Sequence, residues 1–282
     1  MILIDEICKR NHISGNIVVK NTKFNSGRLF FSNDYVIKLY PGIKEKYFSN
    51  EYYIYKNLQG KTFLPQLVDY STTGEKYIVI TRLNARPIFE VWNGLTEAER
   101  ENAIKQISDI LKQINSLPTI DDNISFKEYL KSQFEENIKG NHLNDELSKQ
   151  VNSLFYNTIN KISDDETKRL IYADFHFNNF LIDQKNKVYI VDFENLVTAP
   201  LDYQLNSITR MCLDPSVEAP NDIKIDEKDY ITIPKYFKKY YREMFSNPNW
   251  KDRVKIYILI NHLRTLKHNK ISSKVIEDDI ER

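Results

Sequence analysis

The sequence predicts an α+β fold with two lobes: a small N-terminal lobe built on an antiparallel sheet, and a larger, mainly helical C-terminal lobe. Residues 1–83 carry short runs of β-branched and aromatic residues separated by turn residues, which is typical of strands. From about residue 87, apolar residues recur at helical spacing. The strand pattern returns only within 170–193, as a short hairpin. We therefore assign residues 1–83 to the N-terminal lobe and residues 84–282 to the C-terminal lobe.

The composition is that of a globular protein with a sizeable core. Forty Lys and Arg stand against 39 Asp and Glu, so the net charge of +1 gives no support for a nucleic-acid partner. The longest apolar run, Ile256–Ile260, is far shorter than the ~18 residues that a membrane span needs. Two cysteines, Cys8 and Cys212, are too few for a disulfide framework. The N-terminus becomes acidic at Asp5 and lacks the features of a signal peptide, so we expect a cytoplasmic protein without membrane contact.

The first elements of the N-terminal lobe form a three-strand meander. Turn residues separate the predicted strands, at Asn25-Ser26-Gly27 after the first and at Pro41-Gly42 after the third. The predicted strands are Asn16–Phe24, Arg28–Ser32 and Tyr35–Tyr40.

A helix and two more strands complete this lobe. Glu45–Leu58 has a helical pattern, and Gly60 follows where a helix commonly ends. The turn residues Thr72-Thr73-Gly74 separate two short strands, Leu67–Tyr70 and Tyr77–Leu83. Residues 1–83 are thus predicted to contain strands around one helix.

The C-terminal lobe begins with a helix whose start is marked by the capping box Thr96-x-x-Glu99. One apolar face follows, formed by Ile104, Ile107, Ile110, Leu111, Ile114 and Leu117. Two amphipathic helices come next, at Ser125–Lys139 and Leu143–Ile162. The predicted strands are Leu170–Ala173, Phe180–Asp183 and Val188–Phe193, and the pattern is helical beyond Leu201.

The strand hairpin carries the densest set of chemically useful side chains. Asp174 follows one strand, Asn179 comes five residues later, and Asp192 lies at the end of the paired strand. The hairpin therefore brings two carboxylates and one carboxamide to one end of the sheet. Phosphoryl transfer needs such a set, because one carboxylate orients the attacking hydroxyl and the other groups hold Mg²⁺ against the phosphates.

This segment resembles the catalytic and metal-binding loops of the aminoglycoside phosphotransferase and choline kinase superfamily, which has a protein-kinase-like fold. The family pattern is His-Gly-Asp-x-x-x-x-Asn, followed after about a dozen residues by an apolar residue and Asp-Phe/Trp-Glu/Asp. The resemblance implies that Asp174 is the catalytic base, Asn179 a metal ligand and Asp192 the principal metal ligand. It also implies ATP as the donor, with GTP as an alternative, and Mg²⁺ as the cofactor.

The same resemblance implies that the N-terminal lobe is the nucleotide-binding part of the chain, and it extends to a lysine and a glutamate in this lobe. In the family a lysine on the third strand contacts the phosphates, and a glutamate on the following helix orients it. Lys38 in the predicted strand Tyr35–Tyr40 and Glu51 in the next helix match this order. Glu45 is an alternative partner for Lys38, but it lies close to the start of the helix.

Two further nucleotide contacts are implied. Ser26 and Gly27 form the turn that would cover the phosphates, through backbone N–H groups. Thr81 and Leu83 bracket the connector whose backbone would bind adenine.

The chain departs from the family pattern at three places. Tyr172-Ala173 replaces His-Gly before the base, and the turn at residues 25–27 contains a single glycine. Gln204 stands where the family often has the Asp of an Asp-Leu pair, and Asp202 either substitutes for that residue or caps the following helix. His176, two residues after the base, is interpreted either as a hydrogen-bonded structural residue or as a catalytic one.

The resulting prediction is an ATP-dependent, Mg²⁺-dependent phosphotransferase that transfers the γ-phosphate to a hydroxyl of a small molecule. Aminoglycosides, amino alcohols and sugars all remain open as acceptors. A cation–π cage for an amino alcohol and a core-facing stripe are both compatible with the aromatic residues Tyr236, Phe237, Tyr240, Tyr241, Phe245 and Trp250.

Two other functions compete with this prediction. A pseudokinase, serving as a nucleotide-binding or interaction module, is suggested by Tyr172-Ala173 and by the glycine-poor turn. A protein kinase is disfavoured, because no glycine follows Asp192-Phe193 and no activation segment precedes Pro200.

Overall fold

A computed structural model describes residues 2–20, 28–42, 45–120, 125–141, 143–163, 165–220, 223–267 and 271–281. The chain divides into two compact units. The first unit contains Met1–Ile110 and Phe177–Leu196, and the second contains Leu111–His176 and Val197–Arg282. The boundary that the sequence places after residue 83 stays a prediction.

The centre of the first unit is a five-stranded antiparallel sheet with the strand order β1-β2-β3-β5-β4. Its strands are β1 (Val18–Lys20), β2 (Arg28–Phe31), β3 (Tyr35–Tyr40), β4 (Leu67–Ser71) and β5 (Lys76–Thr81). The predicted meander is therefore present as β1, β2 and β3. Strand β3 lies in the middle of the sheet, where Lys38 is opposite Leu29 on one side and Ile78 on the other.

Two helices accompany this sheet, so the prediction of one helix in residues 1–83 is wrong. The predicted helix is present as α2 (Glu45–Asn57), and α1 (Ile2–Arg10) is additional. Helix α1 buries its apolar residues Ile4, Ile7 and Cys8 in a cluster that includes sheet residues. Nine residues are too few to form a stable helix in water, so packing on the sheet supplies the stability that a sequence pattern does not reveal.

The remainder of the first unit holds the hairpin that carries Asn179 and Asp192. A three-stranded sheet has the order β6-β8-β9, with β6 at Arg86–Pro87, β8 at Phe180–Ile182 and β9 at Val188–Ile190. Helices α3 (Ile88–Val91) and α4 (Glu97–Asn115) precede the hairpin in the chain. Strand β9 is three residues shorter than predicted, because Asp192 has a left-handed backbone conformation with φ 64°.

The predicted capping box stands at the start of α4. Thr96 N–H donates to Glu99 Oε2 at 2.8 Å, and Glu99 N–H donates to Thr96 Oγ1 at 3.3 Å. Replacing Thr96 with Ala should lower the free energy of unfolding by about 1 kcal/mol, because one helix N–H loses its side-chain acceptor. Urea denaturation measures this, with Thr72→Ala in an exposed turn as the control, and equal values for both variants would contradict the capping role.

The second unit is mainly helical, with one two-stranded sheet formed by β7 and β10. Its strands are β7 (Lys168–Tyr172) and β10 (Leu196–Pro200), of which β10 was not predicted. Its helices are α5 (Phe126–Ile138), α6 (Asp145–Ile159), α7 (Leu205–Leu213), α8 (Pro215–Glu218), α9 (Ile233–Tyr240), α10 (Trp250–Lys267) and α11 (Ser273–Glu281). No helix in the described part of the chain combines the length and apolar character that crossing a membrane requires.

A buried ion-pair network links α10 to the chain segment after β10. The Arg253 guanidinium is fully buried, with Nε 2.8 Å from Asp202 Oδ2 and Nη1 2.7 Å from both carboxylate oxygens of Glu166. Burial raises the pKa of Asp202 to about 6, although the positive charge of Arg253 acts in the opposite direction. Of the two interpretations of Asp202, the structure favours the structural one, in which Asp202 is the buried partner of Arg253.

Candidate active site

Lys38 lies on the central strand β3, and its side chain is almost completely buried. A buried ammonium group needs a counter-charge, and α2 supplies one through Glu51. Lys38 Nζ donates to Glu51 Oε2 at 2.7 Å, and the Tyr40 hydroxyl donates to the same oxygen at 2.5 Å. The alternative partner Glu45 instead forms an exposed ion pair with Lys76. The structure thus brings together the lysine and the glutamate that the sequence paired.

Two further carboxylates reach the same ammonium group from the segment after β9. Lys38 Nζ is 2.9 Å from Asp192 Oδ1 and 2.7 Å from Glu194 Oε1. The Asn50 side chain on α2 donates to the backbone oxygen of Glu194 at 2.7 Å, which ties this segment to the helix. Sequence reasoning gave Glu194 no separate role, although the acidic residue of the Asp-Phe-Glu motif was the available signal.

The charges of this cluster do not balance. Burial lowers the pKa of Lys38, but Glu51, Asp192 and Glu194 together raise it well above the usual value, so the ammonium stays charged. Burial also raises the pKa of Glu51 to about 7, with Lys38 opposing the shift. With all groups ionised, three carboxylates surround one ammonium, which leaves an excess of negative charge.

Carboxylate oxygens from Glu51, Asp192 and Glu194 lie within 4.8 Å of one another. Oxygen donors with an excess of negative charge are what a hard divalent cation such as Mg²⁺ requires. The side chains present therefore suit such a cation.

Asn179 is held next to the segment that contains Asp192. It directly precedes β8 and is buried, and its backbone oxygen accepts a hydrogen bond from Val191 N–H at 2.9 Å. Phe177, two residues before Asn179, and Phe180, directly after it, are both fully buried, so packing on each side restrains this loop. The hairpin thus positions the two predicted metal ligands, Asn179 and Asp192, on neighbouring stretches of backbone.

The predicted adenine connector begins where β5 ends. The backbone N–H of Thr81 donates to Gln66 O at 3.0 Å, and the Thr81 hydroxyl accepts from Gln66 N–H at 2.9 Å. Leu83 follows outside any strand and is half-buried. Ser26 and Gly27, which were predicted to cover the phosphates, lie outside the described residues.

Asp174 belongs to the second unit, two residues beyond the end of β7. Its side chain is 38% exposed, so solvent or an acceptor can reach the carboxylate. His176 Nε2 is 3.7 Å from Asp174 Oδ2, which is too long for a hydrogen bond. Phe175 between them is buried and packs edge-on against Phe237.

The chain matches a known family in sequence and known structures in fold. The sequence profile of the Phosphotransferase enzyme family (APH) matches residues 23–226. No curated protein matches the chain.

Similar solved structures are aminoglycoside phosphotransferases. A streptomycin–ATP–APH(2'')-IIa ternary complex is 15% identical with a TM-score of 0.67, and the match covers 99% of this chain and 95% of the other. A GDP complex of a mutant aminoglycoside 2'-phosphotransferase IIIa is 14% identical with a TM-score of 0.68, covering 99% and 96%. A thermostable APH(4)-Ia mutant with ADP and hygromycin B is 12% identical with a TM-score of 0.65, covering 98% and 96%.

These similarities confirm the predicted α+β, protein-kinase-like fold class, and the profile match extends over more than half of the chain. The residues of the predicted nucleotide site and the predicted base all lie within the matched range. The chain belongs to the APH phosphotransferase enzyme family.

Proposed function

We propose that this protein is an ATP-dependent, Mg²⁺-dependent phosphotransferase that transfers the γ-phosphate to a hydroxyl group of a small molecule. The observation that carries the proposal is the buried Lys38 ammonium, which contacts Glu51, Asp192 and Glu194 at 2.7, 2.9 and 2.7 Å. It joins the lysine–glutamate pair of the sheet and helix to the acidic segment of the hairpin. A kinase needs this combination, because phosphates and their metal must be held side by side.

Lys38 and Glu51 serve the nucleotide in this proposal. An ammonium group has three donors, and in this structure they face Glu51, Asp192 and Glu194. The donor that faces Asp192 would serve a phosphate oxygen once Asp192 holds the metal. The Tyr40 hydroxyl holds the Glu51 carboxylate in place at 2.5 Å. Thr81 and Leu83 would bind adenine through the backbone, and Ser26 and Gly27 would cover the phosphates.

Asn179 and Asp192 would hold Mg²⁺, since their oxygens are suitable ligands and the local charge is negative. When bound, the ion neutralises negative charge on the β- and γ-phosphates. Asp192 would exchange Lys38 for the metal, and Lys38 would keep Glu51 and Glu194 as counter-charges.

Asp174 would act as the catalytic base. Its accessible carboxylate accepts the proton of the acceptor hydroxyl, the hydroxyl oxygen forms a bond to the γ-phosphorus, and the bond to the β-phosphate oxygen breaks. The products are the phosphorylated acceptor and the nucleoside diphosphate.

The donor is proposed to be ATP, with GTP as the alternative, and the acceptor an aminoglycoside, an amino alcohol or a sugar. Structures of similar fold contain ATP, ADP or GDP, and their aminoglycosides include streptomycin, gentamicin and hygromycin B. An aromatic cage for an amino alcohol has less support, because Tyr236, Phe237 and Tyr241 are buried in the core.

Thermal unfolding with and without Mg²⁺-ATP or Mg²⁺-GTP tests this proposal. Nucleotide at about 100 times its Kd should stabilise the wild type by roughly 2.7 kcal/mol, which raises Tm by roughly 2–4 °C. Asp192→Ala should lose this shift, while Asp5→Ala, which removes an exposed carboxylate, should keep it. Labelled phosphate transfer to streptomycin, gentamicin, hygromycin B, choline and simple sugars then identifies the acceptor. No shift with either nucleotide and no transfer would overturn the proposal.

A nucleotide-binding pseudokinase is the second candidate, favoured by Tyr172-Ala173 before the proposed base. It predicts the Asp192-dependent thermal shift without transfer to any acceptor. Turnover that depends on Asp192 would exclude it.

A further inference from the structure

Strand β7 leads into the proposed base, and one of its edges is bound by side chains. Leu170, Ile171 and Tyr172 are completely buried, so their backbone groups need partners inside the protein. The Asn115 amide donates to Leu170 O at 2.6 Å, and the Gln204 amide donates to Tyr172 O at 2.8 Å. Carbonyls two residues apart in a strand face the same edge. On this edge, two side-chain amides therefore donate the hydrogen bonds that the backbone of a neighbouring strand would otherwise donate.

Gln204 is the member of this pair whose partner carbonyl is nearer to Asp174 along the chain. It is fully buried at the end of the 3₁₀ segment Leu201–Gln204. Asp202 in the same segment is fixed by Arg253, whose Nε is 2.8 Å away. The Gln204 amide thus connects this fixed segment to the Tyr172 carbonyl, which lies two residues before the base.

The orientation of the Gln204 side chain follows from its partner. A backbone carbonyl only accepts hydrogen bonds, so the NH₂ group must face Tyr172. The other end, Oε1, is buried and has no hydrogen-bond partner among the described residues. An apolar side chain of the same size would remove this unpaired oxygen but would leave the buried Tyr172 carbonyl without its donor, and either unpaired carbonyl destabilises the fold. The gain and the loss are of the same kind, so stability alone does not account for a glutamine at this position.

We propose that Gln204 is a positioning residue for catalysis: by holding the Tyr172 carbonyl it sets the place and direction of the Asp174 carboxylate. This inference rests on the proposed function, because it assumes that Asp174 receives the proton of the acceptor. Transfer reactions are sensitive to displacements of about 1 Å, which can lower a rate by roughly a hundredfold. Losing the Tyr172 anchor allows a displacement of that size two residues further along the chain.

The first test is Gln204→Met, which keeps the volume and removes both the donor and the unpaired oxygen. We expect kcat to fall by about tenfold to a hundredfold with little change in the KM for the nucleotide. The matched control is Asn115→Leu, which removes the amide that binds Leu170 on the same strand edge, four residues before the base. It also leaves the Tyr241 hydroxyl without its acceptor at 2.9 Å, so it should lower Tm more than Gln204→Met and kcat less. Equal reductions of kcat in the two variants, or a loss that follows Tm, would overturn the inference.

A second variant gives a readout that a structural role would not change. In Gln204→Glu the ionised carboxylate cannot donate to Tyr172 O, whereas the protonated acid can. The ratio of its kcat to that of the wild type should therefore rise as the pH falls from 8 to 6. A ratio that does not change with pH contradicts the inference.

Hydrogen–deuterium exchange of residues 172–176 tests the anchor without using activity. Exchange should be faster in Gln204→Met than in the wild type or in Asn115→Leu. Unchanged exchange overturns the inference, whatever the activity. Exchange could also be faster in Gln204→Met while the wild type transfers no phosphate to any acceptor. That result would count against the proposed function alone, since the anchor would still be demonstrated.

Discussion

Asp174→Asn should lower kcat by roughly 10²–10⁴-fold and leave the Kd of the nucleotide unchanged. The asparagine has almost the same size as aspartate but cannot take the proton of the acceptor hydroxyl. The carboxylate is 38% exposed in the wild type, so removal of its charge should change the free energy of unfolding little. The expected effect is therefore on the chemical step and neither on folding nor on nucleotide binding.

Steady-state kinetics with the best acceptor measures kcat, and calorimetric titration measures the nucleotide Kd. Asp145→Asn, an exposed residue at the start of α6, is the matched control and should retain wild-type kinetics. If Asp174→Asn keeps kcat within about threefold of the wild type, Asp174 is not the base. A parallel loss of nucleotide affinity would instead indicate a role in binding.

Arg253→Met should lower the free energy of unfolding by about 3–5 kcal/mol, because it leaves buried carboxylates without their partner. Arg253 is fully buried, and Asp202, at 2.8 Å from its Nε, is only 3% exposed at the side chain. Methionine fills part of the volume, so the loss arises mainly from the uncompensated charge. Denaturation in urea, followed at the same pH for both proteins, measures the difference.

A surface ion pair in the same unit provides the control. Lys161 and Asp252 are 2.5 Å apart, but both side chains are 44% exposed, and Lys161→Met should lower the free energy of unfolding by less than about 1 kcal/mol. Similar losses in both variants would show that burial of the Arg253 network has no special effect.

The pH dependence of the Arg253→Met deficit gives a further test. Burial raises the pKa of Asp202 from 3.8 to about 6 in the folded wild type, so its contribution to stability falls as the pH rises from about 4 to about 6. Arg253 opposes this shift, and its removal should raise the pKa of Asp202 further. The folded variant then binds a proton that the wild type does not, so the deficit should shrink as the pH falls from 7 to 5. A deficit that is constant over this range would show that Asp202 carries no charge to be compensated.

Local patterns in the sequence predict much of the fold. Strand β3 has the predicted bounds Tyr35–Tyr40, and the capping box at Thr96 and Glu99 is formed. Such features depend on a few consecutive residues, whose alternation, helical spacing or capping hydrogen bonds are visible in the chain itself. The pairing of Lys38 with Glu51 was predicted only through the resemblance, since a single lysine and a single glutamate carry no pattern of their own.

The contacts that required the tertiary structure join residues distant in the chain. Glu194 at 2.7 Å from Lys38, Arg253 against Asp202, and Gln204 against the Tyr172 carbonyl are buried polar contacts of this kind. Each of these contacts depends on strand register and helix packing. Burial decides whether a charge or an amide needs a partner, and only the folded chain brings that partner within reach. The sequence alone thus specifies which elements form and which acidic and amide side chains follow the hairpin. Packing selects the third carboxylate at Lys38 and the amide that anchors the strand before Asp174.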